Sequence, residues 1–209
     1  MATAAFILVA YLIGSLSFAV IVSRAFGLPD PRTYGSGNPG ATNVLRTGRK
    51  LAALLTLIGD GGKGWFALLL AVRFSADYGV EPPGVAACAI AVFLGHLFPV
   101  FFRFKGGKGV STAGGILLAV HPWLGLATVA TWIIIAIFFR YSSLAAIVSA
   151  VFAPLYAFFM SLLGYPVGWM LPSILLMSAL LVWRHRENIL KLVAGKESRI
   201  GEKQDLPSA

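Results

Sequence analysis

Six apolar runs, at residues 3–22, 51–72, 84–102, 110–139, 144–163 and 167–183, divide this chain into segments that only hydrocarbon would accept. A bilayer core of about 30 Å requires roughly 20 apolar residues in a helix, with about 17 the lower limit, and every run reaches that range. Composition agrees: 58% of the 209 residues are hydrophobic and 12% are charged, against roughly 25% charged in soluble domains. No single soluble core could hide that surface. The pattern predicts an all-α integral membrane protein, with one polytopic domain over residues 1–195 and a polar tail over 196–209. The first run has no positive n-region and no convincing small-residue cleavage site before Arg24, so it reads as a span and not as a cleaved leader. Cys88 is the lone cysteine and lies inside an apolar run; it reads as a small buried hydrophobe, with no internal disulfide and no cysteine-based metal site.

The run 110–139 is too long for one ordinary span, and His121-Pro122-Trp123 interrupts it. Proline removes a helix donor and disfavours helix before it, so the run is either one kinked helix or two short ones. Charge decides between them. Two helices give seven crossings and collect Arg24, Arg32, Arg46, Arg49, Lys50, Arg103, Lys105, Lys108, Arg140, Arg184, Arg186, Lys191, Lys196, Arg199 and Lys203 on one side, leaving Arg73 outside near Asp77 and Glu81. One helix would send Arg140 and the basic tail to the opposite face, against the tendency of short cytoplasmic loops to collect Lys and Arg. The expectation is therefore seven transmembrane helices, some short or partly spanning, with the N-terminus outside and the C-terminus cytoplasmic. A helix over 110–120 would rise only about 16 Å, and such a short helix is tolerated where its end is buried in protein or lines a wet cavity.

Three polar segments punctuated by glycine or flanked by cations then face one compartment. The first is Gly35-Ser36-Gly37-Asn38-Pro39-Gly40-Ala41-Thr42-Asn43-Val44-Leu45-Arg46. Its glycines permit backbone geometries closed to other residues, its Ser, Thr and Asn offer neutral hydrogen bonds, and Arg46 offers a planar fork suited to phosphate. The alternative is a capped interfacial loop whose Arg46 meets lipid headgroups. The second, Lys105-Gly106-Gly107-Lys108-Gly109, precedes Ser111 and Thr112 at the start of the short helix, where the dipole favours an anion. It is not a Walker A loop, because Lys108 is followed by Gly109. A basic turn obeying the positive-inside rule is its bland reading. In the third, Arg184-His185-Arg186-Glu187-Asn188, the spacing puts His185 and Asn188 on one helical face, or else the segment is an anchor with topology signals.

Two ionisable residues fall inside a span. Asp60 and Lys63 are three apart, which allows a pair within one turn, as a structural bond or as part of a site. His96 reads as a helix-to-helix hydrogen bond. Absences narrow the reaction. The residues five beyond His96, His121 and His185 are Phe101, Leu126 and Leu190, so the His-x-x-x-x-Asp pair of acyl-CoA acyltransferases is missing. No carboxylate cluster suggests a divalent metal, and Gly-x-Ser-x-Gly is absent.

The first segment, Gly95-His96-Leu97-Phe98-Pro99 leading into Phe104-Lys105-Gly106-Gly107-Lys108-Gly109-Val110, and Arg184-His185-Arg186-Glu187-Asn188-Ile189 resemble the PlsY family of bacterial membrane enzymes, the acyl-phosphate-dependent glycerol-3-phosphate acyltransferases. The resemblance runs from the first span to Glu197. It implies transfer of a fatty acyl group from acyl phosphate to the 1-hydroxyl of glycerol 3-phosphate, giving lysophosphatidic acid and phosphate, as the first step of phospholipid synthesis. It also implies the bacterial inner membrane, an active site at the cytoplasmic face, membrane lipids as surroundings, functional coupling to an enzyme that makes acyl phosphate, and no nucleic-acid partner. Neither a cofactor nor a metal is expected. Carried over by motif, Ser36, Arg46, Lys108, His185 and Asn188 would be catalytic. Gly37, Asn38, Thr42, Asn43, Lys105, Gly106, Gly107, Gly109, Ser142 and Ser143 would bind substrate, and Glu187 would be mainly structural. An activated mixed anhydride needs little from the protein beyond positioning and oxyanion stabilisation, so the hydroxyl proton can pass to the departing phosphate; the rival version makes His185 the general base. The competing class is a membrane carrier for phosphorylated metabolites, against which stand the absence of inverted repeats and the one-sided cations.

Overall fold

A computed structural model of the chain describes residues 1–202 and is helical, with no strand among the described residues. Ten helices follow in order: α1 (Ala2–Gly14), α2 (Phe18–Ala25), α3 (Ala41–Leu45), α4 (Lys50–Phe74), α5 (Pro82–Leu97), α6 (Val110–Val120), α7 (Pro122–Phe139), α8 (Ser142–Leu162), α9 (Leu171–Arg184) and α10 (Arg186–Val193). Four segments, Lys50–Phe74, Pro82–Phe102, Pro122–Phe139 and Ser142–Leu162, are long and apolar enough to cross a membrane, and α1 with α2 makes a fifth if the bent pair is one span. Val110–Val120 and Gly168–Arg184 are shorter apolar helices. Outward-facing Ile134, Ile137, Phe138 and Phe139 make α7 a lipid-exposed ridge.

The apolar run 110–139 forms two helices and not one kinked one. His121 is extended (φ −161°, ψ 130°), Pro122 opens α7, and the His121 ring accepts the Trp123 N–H at 3.3 Å. Pro at the first helical position costs no hydrogen bond, since that N–H would have no intrahelical partner.

The first run, read as one span, is bent: α1 and α2 meet at 40° across Ser15, Leu16 and Ser17. The break leaves the Leu16 carbonyl outside the helical ladder, and Lys63 reaches it from α4 with a 2.6 Å bond. A carbonyl exposed at membrane depth must find such a partner.

Helix α5 is the central post, packed against α1, α4, α6 and α9, with Cys88, Val92, Phe93 and Leu97 fully enclosed. Small residues let its neighbours close in. A Cβ on Gly14 would stand 2.1 Å from the Val92 carbonyl oxygen, and one on Gly115 would stand 1.9 Å from that of Gly61, so α1 on α5 and α6 on α4 meet backbone to backbone.

Candidate functional site

A cavity of about 900 Å³ lies between α3, α4, α6, α7, α8 and α9. One end is polar, walled by Ser36, Asn38, Thr42, Arg46, Lys108, Ser142, Ser143, His185 and Asn188; the other is an apolar arm of Trp65, Leu118, Val129, Trp132, Ala150, Ala153 and Ile174. The three polar segments therefore converge, together with the start of α8.

The loop before α3 owes its shape to Asn43, which is 2% exposed. Its amide donates to the Pro31 and Tyr34 carbonyls at 2.7 and 3.2 Å, and its oxygen accepts the Ser36 N–H at 3.0 Å. Gly35 turns through a left-handed conformation beside it (φ +58°), where a Cβ would stand 2.3 Å from the Asn43 oxygen. Three of the four bonds an amide can make are thus held by the loop itself, although Asn43 also borders the cavity. Thr42 Oγ1 lies 3.0 Å from Ser142 Oγ, which ties α3 to the start of α8. Arg46 reaches across to Ser198, donating from Nη2 to its hydroxyl at 2.5 Å.

Lys108 donates to the Asn188 side-chain oxygen. The Asn188 amide nitrogen in turn donates to Glu197 at 2.7 Å, and Ser143 donates to the same carboxylate oxygen at 2.6 Å. Burial pushes the Lys108 ammonium down to about 8, against the Glu197 carboxylate, which holds it up. His185 is 3% exposed, and its Nδ1 lies 2.8 Å from the Leu181 carbonyl oxygen. A carbonyl only accepts, so Nδ1 carries the proton and Nε2 is the free lone pair. Burial, then the Lys108 charge, push this imidazole down to about 4, and it is neutral at pH 7.

Beneath the polar end lies a buried network. Lys63 pairs with Asp60 at 2.7 Å, as their spacing predicts, and Thr112 donates to the Asp60 carbonyl at 2.9 Å. Thr112 Oγ1 is also 3.1 Å from His96 Nδ1, so the His96 ring is the donor of that bond. Both Asp60 and His96 border the cavity.

Gly37, Lys105, Gly106 and Gly107 do not border it, whereas Gly109 does. Lys105 is exposed. The Gly107 N–H donates to the His96 carbonyl at 3.1 Å. Glu187 is exposed on the first turn of α10, and the acid bonded into the site is Glu197, nine residues beyond Asn188. The described part of the polar tail, residues 196–202, is built onto the rest: Glu197, Ser198, Arg199 and Ile200 border the cavity, and the Ile200 N–H donates to the Arg140 carbonyl at 2.7 Å. Residues 203–209 of that tail lie outside the described residues. Arg184 is a further participant that the sequence left as a topology signal; its Nη2 donates to the carbonyls of Gly106 and Gly107, both at 3.1 Å.

Residues 4–195 match the glycerol-3-phosphate acyltransferase family. A glycerol-3-phosphate acyltransferase of Cupriavidus pinatubonensis is 64% identical over 204 residues, covering 98% of this chain and 99% of the relative. One from Ralstonia pickettii is 66% identical over 203 residues, covering 97% and 96%. Among solved structures, PlsY (YgiH), an integral membrane glycerol 3-phosphate acyltransferase, superposes in its glycerol 3-phosphate form with a TM-score of 0.86 at 39% identity, over 96% of both chains. Its lysophosphatidic acid form gives 0.85 at 38%, again over 96% of both.

Proposed function

This chain belongs to the glycerol-3-phosphate acyltransferase family and is an integral membrane acyltransferase that makes lysophosphatidic acid, and from that premise we propose that its donor is acyl phosphate and that the cavity is where transfer occurs. The carrying observation is that one cavity joins a polar end with Arg46 and Lys108 to an apolar arm. Phosphate and acyl chain of one molecule can be held there together. Both phosphorylated reactants suit cations and hydroxyls, and neither needs a nucleotide pocket.

In this reading Ser36, Arg46, Lys108, His185 and Asn188 are catalytic. Asn38, Thr42, Ser142, Ser143 and Gly109 contact substrate, while Gly37, Asn43, Lys105, Gly106 and Gly107 contribute through the shape of their loops. The 1-hydroxyl oxygen of glycerol 3-phosphate attacks the acyl carbonyl carbon, the carbonyl-to-phosphate C–O bond breaks, and the hydroxyl proton leaves on the released phosphate. A His185 held near pKa 4 is a weak base at neutral pH. Its Nε2 lone pair holds the acceptor by accepting from the neighbouring 2-hydroxyl, which leaves the 1-hydroxyl proton directed at the phosphate. Electrostatic stabilisation of the developing oxyanion does the remaining work.

Residues 1–195 form one membrane domain with seven crossings, counting α1 with α2 as one, the N-terminus outside, and the C-terminus and polar end at the cytoplasmic face of a bacterial inner membrane. The charge distribution supports that orientation. Acyl phosphate is supplied by a partner enzyme that forms the mixed anhydride. The test is release of phosphate from acyl phosphate by detergent-purified protein, dependent on glycerol 3-phosphate, with acyl-CoA as the competing donor. Turnover with acyl-CoA alone sinks the donor assignment.

A further inference from the structure

Gly106 and Gly107 are gripped from two sides by groups that belong to different helices. On one side stands His96. A Cβ on Gly107 would lie 2.3 Å from its Nε2, and one on Gly106 would lie 2.1 Å from its carbonyl oxygen, so the glycines let the turn lie flat on this residue. The Gly107 N–H bonds to that same carbonyl, and the His96 ring is itself fixed by Thr112, 3.1 Å from Nδ1. On the other side stands Arg184. Its Nη2 donates to both glycine carbonyls, and its guanidinium lies over the Phe98 ring, 5.8 Å from the centroid.

We propose that Arg184 is a positioning residue of the transfer reaction: it clamps the Gly106 and Gly107 carbonyls against His96 and thereby sets where the next residue, Lys108, presents its ammonium in the cavity. Arg184 does not border the cavity, whereas Lys108 does. Its positive charge acts on the loop and not on a bound anion. The leverage is short, since neighbouring Cα atoms are about 3.8 Å apart and a misplacement of about 1 Å can cost roughly a hundredfold in rate. A lysine could not reproduce the arrangement, because a compact ammonium lacks the flat face that lies on Phe98.

The inference rests on the reading of Lys108 as a substrate ligand, and its test separates the two. Full-length Arg184→Gln, Arg184→Lys, Lys108→Ala and the double variant Lys108→Ala with Arg184→Gln are compared with the parent in steady-state assays varying each substrate. Arg184→Gln is expected to raise the same KM that Lys108→Ala raises, by about tenfold, with kcat changed by less than about threefold. In the Lys108→Ala background it should add less than about twofold, because both changes act through one side chain. Independent effects that multiply, or equal rises in both KM values, overturn the clamp. Arg184→Lys carries the same comparison if Arg184→Gln does not survive purification. Reductive methylation read by mass spectrometry supplies a measure that needs no substrate: Lys108 should be modified several-fold faster once the clamp is removed. An unchanged modification rate overturns the clamp even if Lys108 binds substrate. Should Lys108→Ala leave both KM values alone while Arg184→Gln speeds its modification, the ligand reading of Lys108 falls and the clamp stands as a loop anchor.

Discussion

The side-chain oxygen of Asn188 faces the ammonium of Lys108. That orientation is set from behind, because the Asn188 amide nitrogen is engaged by Glu197 at 2.7 Å and only the oxygen remains for the cation. Glu197 therefore acts on Lys108 by its charge and through the amide between them. Glu197→Gln removes the charge and is expected to lower the Lys108 pKa below about 8, whereas Asn188→Asp adds a charge and is expected to raise it. The pH dependence of the KM governed by Lys108 reads both: its alkaline rise should move down for the first variant and up for the second. Shifts in the same direction would refute the arrangement.

A second expectation concerns the parent enzyme. Lys108 binds an anion only while protonated, and burial holds its pKa near 8. The KM of the phosphate it recognises should climb from about pH 8 upward, with a slope near one decade per pH unit. A KM flat to pH 9.5 would contradict this.

His185 titrates in the opposite corner of the pH range. With a folded-state pKa of about 4, against about 6.5 when unfolded, the unfolded chain binds the extra proton between those values. Stability contributed by the neutral imidazole is therefore complete above pH 6.5 and is lost as pH falls toward 4. Thermal unfolding in detergent should show a lower midpoint at pH 5 than at pH 7, and His185→Gln should flatten that dependence. In kinetics, kcat should show no limb near pH 6.5 that vanishes in His185→Gln; such a limb would restore the general-base role.

The buried pair of Lys63 and Asp60 invites a stability test. Lys63→Met strands a carboxylate and the Leu16 carbonyl together, and breaking a buried pair costs about 3 to 5 kcal/mol. Adding Asp60→Asn should recover part of that loss. A double variant less stable than Lys63→Met would mean that Asp60 is held by its other neighbours and not by the pair.

Helix α8 carries cavity-lining residues from Ser142 at the polar end to Ala153 in the arm. Ten helical steps from Ser143 to Ala153 span about 15 Å. If the arm holds the acyl chain, Ala153→Phe should shift donor preference toward shorter chains, leaving the KM for glycerol 3-phosphate within about twofold. Unchanged chain-length preference would remove the arm from acyl binding.

Most of the helical plan was legible because hydrocarbon imposes length and polarity directly on sequence. The break between α6 and α7 could be read from Pro122, and the pairing of Asp60 with Lys63 from their spacing. The break between α1 and α2 could not, since no Pro marks it, Gly14 reads as one more small residue in an apolar run, and the cation that takes up the freed carbonyl is 47 residues away. Convergence of Arg46, Lys108 and Asn188 followed from charge placement, but their partners did not. Glu197 and Ser198 sit in a stretch whose composition resembles any solvated tail, and their bonds reach back across the chain, 152 residues in the case of Arg46. The resemblance implied that Gly106 and Gly107 bind substrate, whereas the structure packs both directly against His96. Glycine written for close packing and glycine written for an anion look the same in a sequence.

Residues 197–200 also set an order of events during synthesis. They leave the ribosome after every helix of the bundle, yet they complete the cavity wall and bond to Ser143, Asn188 and Arg46. A nascent chain that has already inserted α1 to α9 still has an open-sided cavity, with the cation of Lys108 and the amide of Asn188 lacking the carboxylate behind them. Assembly of the bundle and completion of the site are thus separable, and the chamber is closed by residues that follow the bundle in the chain.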